Sequence, residues 1–196
     1  MLKVKQVSYI GAVMMTFALG IASAKADVGG GVMAAFKALC TPDLTNTENL
    51  FKTARSQGWQ PVTPDVDPQL KQVLAMSQSS KVKPKRLRPL GMKTKAGTFF
   101  AVLTGVEIQG RNFNGCYVYD FSATERVETQ AMASWIGTPP TQSRNHGGVF
   151  GERWKLPKKF PGYVMIKNGY FAASSIATKQ TGLTGVALAA TAAAKQ

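Results

Sequence analysis

The sequence is poor in the residues from which metal and redox sites are built. It has one histidine, two cysteines and 10 acidic residues among 196. The His-Glu-x-x-His and Cys-x-x-Cys spacings are absent. One histidine cannot complete a zinc site when the two cysteines are paired with each other. The sequence therefore predicts neither a metal nor a cofactor.

Catalytic motifs are missing as well. His146 precedes two glycines, as in the oxyanion loops of some esterases, but that mechanism requires a Gly-x-Ser-x-Gly elbow, which the chain lacks. Glu125 and Glu128 lie one helical turn apart, where negative charge suits the start of a helix. We expect a non-enzymatic protein. The alternative is a small hydrolase of envelope polymers in which Glu107, Glu125 or His146 acts as the acid or base.

A long apolar run occurs only near the N-terminus. Two lysines precede an uncharged apolar stretch over residues 7–22, and small-x-small cleavage sites end at Ala24 and Ala26. This order is typical of a cleaved secretory signal. A membrane-spanning helix needs about 20 apolar residues, and this run is shorter and interrupted by glycine. We expect residues 1–26 to be removed and the mature protein to be periplasmic or secreted.

Acidic residues are outnumbered by basic ones. Removing residues 1–26 takes three lysines from the 24 basic residues and none of the 10 acids, so the net charge of +14 becomes about +11. Such a balance predicts an anionic partner or surface. Nucleic acid is not expected, because no nucleic-acid-binding motif accompanies the charge and an exported protein rarely meets it.

The basic residues are concentrated in one stretch, which contains no acid. This basic stretch, residues 81–95, predicts a surface that binds an anionic envelope lipid or glycan, or a protein partner. The alternative is that the stretch is a solvated basic loop. A second, smaller group lies at residues 155–159, beside Trp154 and Phe160. The candidate ligand-binding residues are Lys81, Lys83, Lys85, Arg86, Arg88, Lys93 and Lys95.

The two cysteines, Cys40 and Cys116, both lie beyond the predicted signal. In an oxidising compartment two cysteines most economically form one disulfide, and their spacing is not that of a redox-active pair. Two free thiols are the alternative. We expect a structural disulfide between Cys40 and Cys116.

Periodicity and capping residues predict four helices and two hairpins. One hairpin spans residues 98–121, and Asn168-Gly169 between two apolar runs predicts the turn of the other. Residues 142–160 look like a loop. The predicted helices cover residues 32–40, from Thr45 or Thr47 to 57, 68–79, and from 123 or 124 to 136.

These elements predict an α+β fold with helices packed on one face of a four- to five-stranded, mainly antiparallel sheet. Residues 27–31 form a flexible leader and residues 32–177 a single domain. The tail, residues 178–196, is rich in alanine, glycine and threonine, and we expect it to be frayed or a loose terminal helix.

Overall fold

The structure is a computed structural model that describes residues 28–80, 82–155 and 157–195. The predicted secretory signal, residues 1–26, lies outside the described residues. The helices are α1 (Val28–Cys40), α2 (Thr47–Ser56), α3 (Pro68–Ser79), α4 (Thr129–Ile136) and α5 (Ile176–Thr181), with a 3-10 turn at Pro64–Val66. The strands are β1 (Gln60–Pro61), β2 (Arg86–Thr94), β3 (Gly97–Ile108), β4 (Arg111–Asp120), β5 (Gln142–His146), β6 (Val149–Lys155), β7 (Tyr163–Phe171) and β8 (Gly185–Ala193).

In the described part of the chain, eight strands form one antiparallel sheet in the order β1-β2-β3-β4-β8-β7-β6-β5. Two runs of consecutive strands, β1 to β4 and β5 to β8, meet in the middle, where β4 pairs with β8. The predicted fold class is therefore wrong. The sheet has eight strands instead of four or five, and helices pack on both of its faces instead of one.

Helices α1, α2 and α4 cover one face of the sheet, called here the helix-covered face. Because strand side chains alternate, every second residue of the central strands joins this core, including Leu103, Val118 and Leu188. Helix α1 lies over β4 and β8. The disulfide between Cys40 of α1 and Cys116 of β4 is confirmed, with a Cα–Cα distance of 5.6 Å and both residues fully buried.

The second face of the sheet is only partly covered. Helix α3 packs over the β2 to β4 half, where Leu70 and Leu74 contact Phe100 and Val102. On the other half, formed by β5 to β8, the surface carries a groove whose lining residues all belong to strands. This half is called here the open half-face.

The prediction of a frayed tail is also wrong, because residues 185–193 form β8 in the middle of the sheet. Alanine favours a helix by intrinsic propensity, but here both neighbouring strands supply backbone hydrogen-bond partners. The small side chains of Ala190 and Ala192 are buried in the core beneath the helices, where they allow a helix to approach closely. Tertiary packing therefore overrides propensity.

The second predicted hairpin is wrong, since Asn168-Gly169 lies inside β7. The Asn168 side chain donates hydrogen bonds to the Val127 carbonyl oxygen and to Glu152, so its place is in the core and not in a turn. The predicted loop at 142–160 instead contains the β5–β6 hairpin. Its turn is Gly147-Gly148, and both glycines have the positive φ that a tight hairpin turn requires.

The other helices and the first hairpin follow the sequence pattern more closely. Helix α3 spans the predicted residues and is capped by Asp67, and β3 and β4 form the predicted hairpin. Helix α1 begins at Val28, inside the segment predicted to be a flexible leader. Helix α4 begins only at Thr129, after the predicted start at residue 123 or 124, and Ser122 ahead of that start hydrogen-bonds to the Asp120 carboxylate at the end of β4.

Candidate anion-binding groove

A groove of about 660 Å³ crosses the open half-face. The strand registers arrange its lining residues in three rows that run across the strands. In the middle row, Gly151 of β6 lies opposite Gly169 of β7, and Gly169 lies opposite Ala187 of β8. These three small residues form the floor of the groove.

The two floor glycines are not required by backbone conformation. Neither has the positive φ that favours glycine. A Cβ atom at Gly151 would meet no atom within 4 Å, and one at Gly169 would be 3.4 Å from the nearest atom, the backbone oxygen of Ala187. Glycine within a strand weakens the sheet and often marks a close approach by a ligand or another backbone. Its presence at both positions keeps the groove open.

One wall of the groove is basic. Arg153 of β6 lies directly opposite Lys167 of β7. The same row continues through Ala189 of β8 to Tyr117 of β4, and on the other side it reaches Gln142 of the edge strand β5. The wall thus presents two adjacent cations between an amide and a phenol.

The opposite wall is apolar. Val149 of β6 lies opposite Phe171 of β7, and His146 of β5 ends this row at the edge of the sheet. Arg144 of β5 lies opposite Gly151, so it stands where the floor reaches that edge. The groove therefore has one basic wall, one apolar wall and a third cation at its open end.

The basic wall is electrostatically uncompensated. Like charges directly opposite each other on neighbouring strands destabilise a sheet, and the ion pairs found in the described ranges include none with Arg144, Arg153 or Lys167. Burial, and then the positive charge of Arg153, lower the pKa of Lys167 below its ordinary value of 10.5. An anion in the groove would relieve this repulsion.

The acid nearest to the basic wall in sequence, Glu152, is turned away from it. Its carboxylate lies on the helix-covered face, where it accepts a hydrogen bond of 2.5 Å from the Thr129 hydroxyl and one of 3.0 Å from the Asn168 amide. Because strand side chains alternate, this arrangement directs the neighbouring Gly151 and Arg153 to the open half-face. The buried network thus orients the cationic wall without neutralising it.

The predicted basic stretch does not form one surface. Lys81 lies outside the described residues. Lys85 forms an ion pair with Glu107, and the Arg88 guanidinium stacks 4.3 Å from the centre of the Phe51 ring. The other basic residues of the stretch lie on different sides of the sheet or outside β2, because side chains alternate along this strand. Arg86 and Arg88 lie on the helix-covered side, Lys93 on the opposite side, Lys83 before the strand and Lys95 in the β2–β3 turn.

The hydrolase candidates are not brought together. Glu107 is engaged by Lys85 at the end of β3, Glu125 is exposed in the segment before α4, and His146 is exposed at the end of β5. Of these three residues only His146 borders the groove.

Sequence reasoning missed the groove because it missed three of its strands, β5, β6 and β8. β5 has no apolar residue and is exposed throughout, so periodicity cannot detect it. In β6, however, the buried residues Phe150, Glu152 and Trp154 alternate with half-buried positions. Together with the Gly147-Gly148 turn, that alternation is the signal that predicts a hairpin here.

Comparison of the chain with protein-family models, with curated proteins and with solved structures found no match to any of them. Among the described residues, none of the helices has the length and apolar character needed to cross a bilayer. Within the same ranges, no group of three or more His, Cys, Asp or Glu side chains is placed to hold a metal ion. Functional inference therefore depends on the groove itself.

Proposed function

We propose that this is an exported, non-enzymatic protein that binds an anionic component of the cell envelope in the groove of the open half-face. The observation that carries the proposal is the Arg153–Lys167 pair, two cations placed directly opposite each other with no acid facing them in the described part of the sheet. A phosphate or carboxylate between them would form charge-assisted hydrogen bonds with both.

The disulfide supports the exported location. It joins two fully buried cysteines, and disulfides persist mainly in oxidising compartments.

The test uses inorganic tripolyphosphate, a polyanion with neither sugar nor lipid. Isothermal titration at low salt compares the mature parent protein with the double variant Arg153→Gln/Lys167→Gln. We expect the parent to bind, the affinity to fall steeply as salt is raised to physiological ionic strength, and the double variant to lose at least tenfold in affinity. Salt screens exposed charges over about 8–10 Å under such conditions.

The matched control is Lys93→Gln/Lys95→Gln, which removes the same charge from the basic stretch while leaving the groove intact. We expect this variant to bind within about twofold of the parent, because its positions lie beyond the groove lining. If tripolyphosphate fails to bind the parent at low salt, or if only the control variant loses binding, the groove is not the anion site and the proposal is wrong.

A further inference from the structure

We infer that the ligand of the groove is an acidic oligosaccharide lying across the strands, with its anionic groups on the basic wall and its sugar rings on the floor. This inference rests on the proposed function and specifies the class of ligand. It follows from three properties of the groove: the shape of the floor, the chemistry of the two walls, and the exposure of the side that faces away from the sheet.

The floor has the shape of a shallow trough. Gly151, Gly169 and Ala187 are in register on three neighbouring strands, and Arg144 extends the row to a fourth. Neighbouring strands are about 4.8 Å apart, so the three small residues on β6, β7 and β8 span about 10 Å. A floor of this length without long side chains accommodates more than one linked ring, whereas a single small anion would occupy only the part beside Arg153 and Lys167.

The two walls match the two kinds of surface that an acidic sugar chain presents, which are anionic substituents and apolar C–H groups. Arg153 and Lys167 match carboxylate or phosphate substituents along one edge, since both cations are donors only. On the other side, Phe171 and Val149 present apolar surface to the C–H groups of the rings. Binding sites that combine apolar and aromatic walls with a few convergent polar groups fix both the position and the orientation of a ligand.

An acyl chain fits the groove less well than a sugar chain. The lining comes from one face of one sheet, so the ligand is left exposed on the side facing away from the sheet. Apolar surface that stays in water contributes no hydrophobic stabilisation, whereas hydroxyl groups on that side remain hydrated. The geometry thus favours a polar, anionic chain over a lipid tail.

The experiment measures the binding of four probes to the mature protein: tetragalacturonate, the neutral maltotetraose, tripolyphosphate, and vesicles of phosphatidylglycerol. We expect tetragalacturonate to bind about tenfold or more tightly than tripolyphosphate, because it also contacts the floor and the apolar wall. We expect maltotetraose to bind weakly and the vesicles to compete poorly with tetragalacturonate.

Two variants separate the floor from the basic wall. Gly151→Val places a branched side chain in open space above the floor, and Gly169→Ala is the milder second variant. We expect Gly151→Val to lose at least tenfold in affinity for tetragalacturonate and clearly less for tripolyphosphate, which occupies only the part of the groove beside Arg153 and Lys167. Ser143→Val, on the opposite face of β5, is the control and should bind both probes normally.

The outcomes distinguish this inference from the proposed function. If tripolyphosphate binding requires Arg153 and Lys167 but tetragalacturonate binds no more tightly, or is unaffected by both glycine variants, the oligosaccharide inference is wrong and the anion site remains. Tight binding of the vesicles, blocked by Gly151→Val, would identify a lipid as the ligand instead. If no anionic probe binds the parent, both proposals are wrong.

Discussion

Arg153 and Lys167 occupy directly opposed positions on β6 and β7, where the side chains of neighbouring strands approach most closely. The folded protein holds these charges together without a compensating acid in the described sheet, and burial disfavours the charged form of Lys167. Repulsion within such a pair destabilises the folded state slightly, but the same pair favours the binding of an anion. The two effects can be measured separately.

The first prediction at the residue scale concerns stability. Arg153→Gln should leave the free energy of unfolding unchanged or raise it by about 0.2–1 kcal/mol, because it removes a repulsive cross-strand pair. Urea denaturation of the parent and the variant provides the measurement. Lys95→Gln, in the exposed β2–β3 turn, is the control and should have almost no effect. A clear loss of stability in Arg153→Gln would show that the guanidinium supports the fold.

The second prediction concerns pH. The folded-state pKa of Lys167 is lowered from 10.5, so its charge is complete below that lowered pKa and is lost as the pH rises through it. We expect affinity for tripolyphosphate to decline in this window, before the pH reaches 10.5, while the free energy of unfolding rises with pH over the same window. Burial raises the pKa of Tyr117, the phenol on the same wall, above its ordinary value of 10.0.

Lys167→Arg is the matched variant for the pH experiment, because arginine stays protonated throughout this range. Its affinity should decline less over the window than that of the parent. Identical pH profiles for the parent and Lys167→Arg would mean that Lys167 does not contact the anion.

At the scale of elements, β8 determines whether the sheet is continuous. It follows the other described strands in sequence, but it lies in the middle of the sheet and joins the two runs of strands. Leu188, at its centre, is fully buried on the helix-covered face. The integrity of the groove depends on this strand because Ala187 and Ala189 belong to it.

Leu188→Ala should therefore cost about 2–5 kcal/mol in the free energy of unfolding, since it creates a cavity in the core. Thr191→Ala changes the same strand at a half-buried position on the other face and should cost much less. Chemical denaturation of both variants measures the difference. Equal and small effects would indicate that the C-terminal segment is loosely attached, as its composition alone suggests.

The disulfide joins the helix layer to the sheet and closes a segment with a sequence separation of 76 residues. By the chain-entropy model, a loop of this size contributes about 4–5 kcal/mol. The mature protein should show no free thiol until it is reduced, and reduction should lower its stability by a few kcal/mol. Two rapidly labelled thiols in the unreduced native protein would contradict the pairing.

Local signals were sufficient where an element is determined by its own residues. The Asp67 cap followed by a proline predicts α3, and the apolar runs between residues 98 and 121 predict the β3–β4 hairpin. They were insufficient where partners distant in sequence decide. Asn168 is in a strand because Glu152 and Val127 accept its hydrogen bonds, and the alanines of β8 are in a strand because β4 and β7 flank them.

The candidate site depends even more on distant partners. Arg153 and Lys167 are ordinary surface cations in the sequence, and only the β6–β7 register places them opposite each other. The basic stretch between residues 81 and 95 is conspicuous in the sequence, yet the alternation of β2 divides it between two faces. Clustering along a chain predicts a common surface in a loop, but not in a strand.

At the scale of the whole molecule, the positive net charge suits the predicted export to a compartment that contains anionic polymers. The chain has a net charge of +14, and removal of residues 1–26 would leave a strongly basic protein among the anionic polymers of an envelope. Intact-mass analysis of protein purified from the native envelope should give an N-terminus at Asp27 or Lys25. A mass that includes Met1 would contradict cleavage of the signal.

The central claim is that anions bind in the groove of the open half-face and not on the basic stretch. Lysine acylation with acetic anhydride, followed by peptide mass spectrometry, tests it directly when performed with and without saturating tripolyphosphate. We expect the ligand to protect Lys167 from acylation while Lys83, Lys93 and Lys95 react equally in both samples. Unchanged labelling of Lys167, together with protection of Lys83, Lys93 and Lys95, would contradict the claim and place the anion site on the basic stretch.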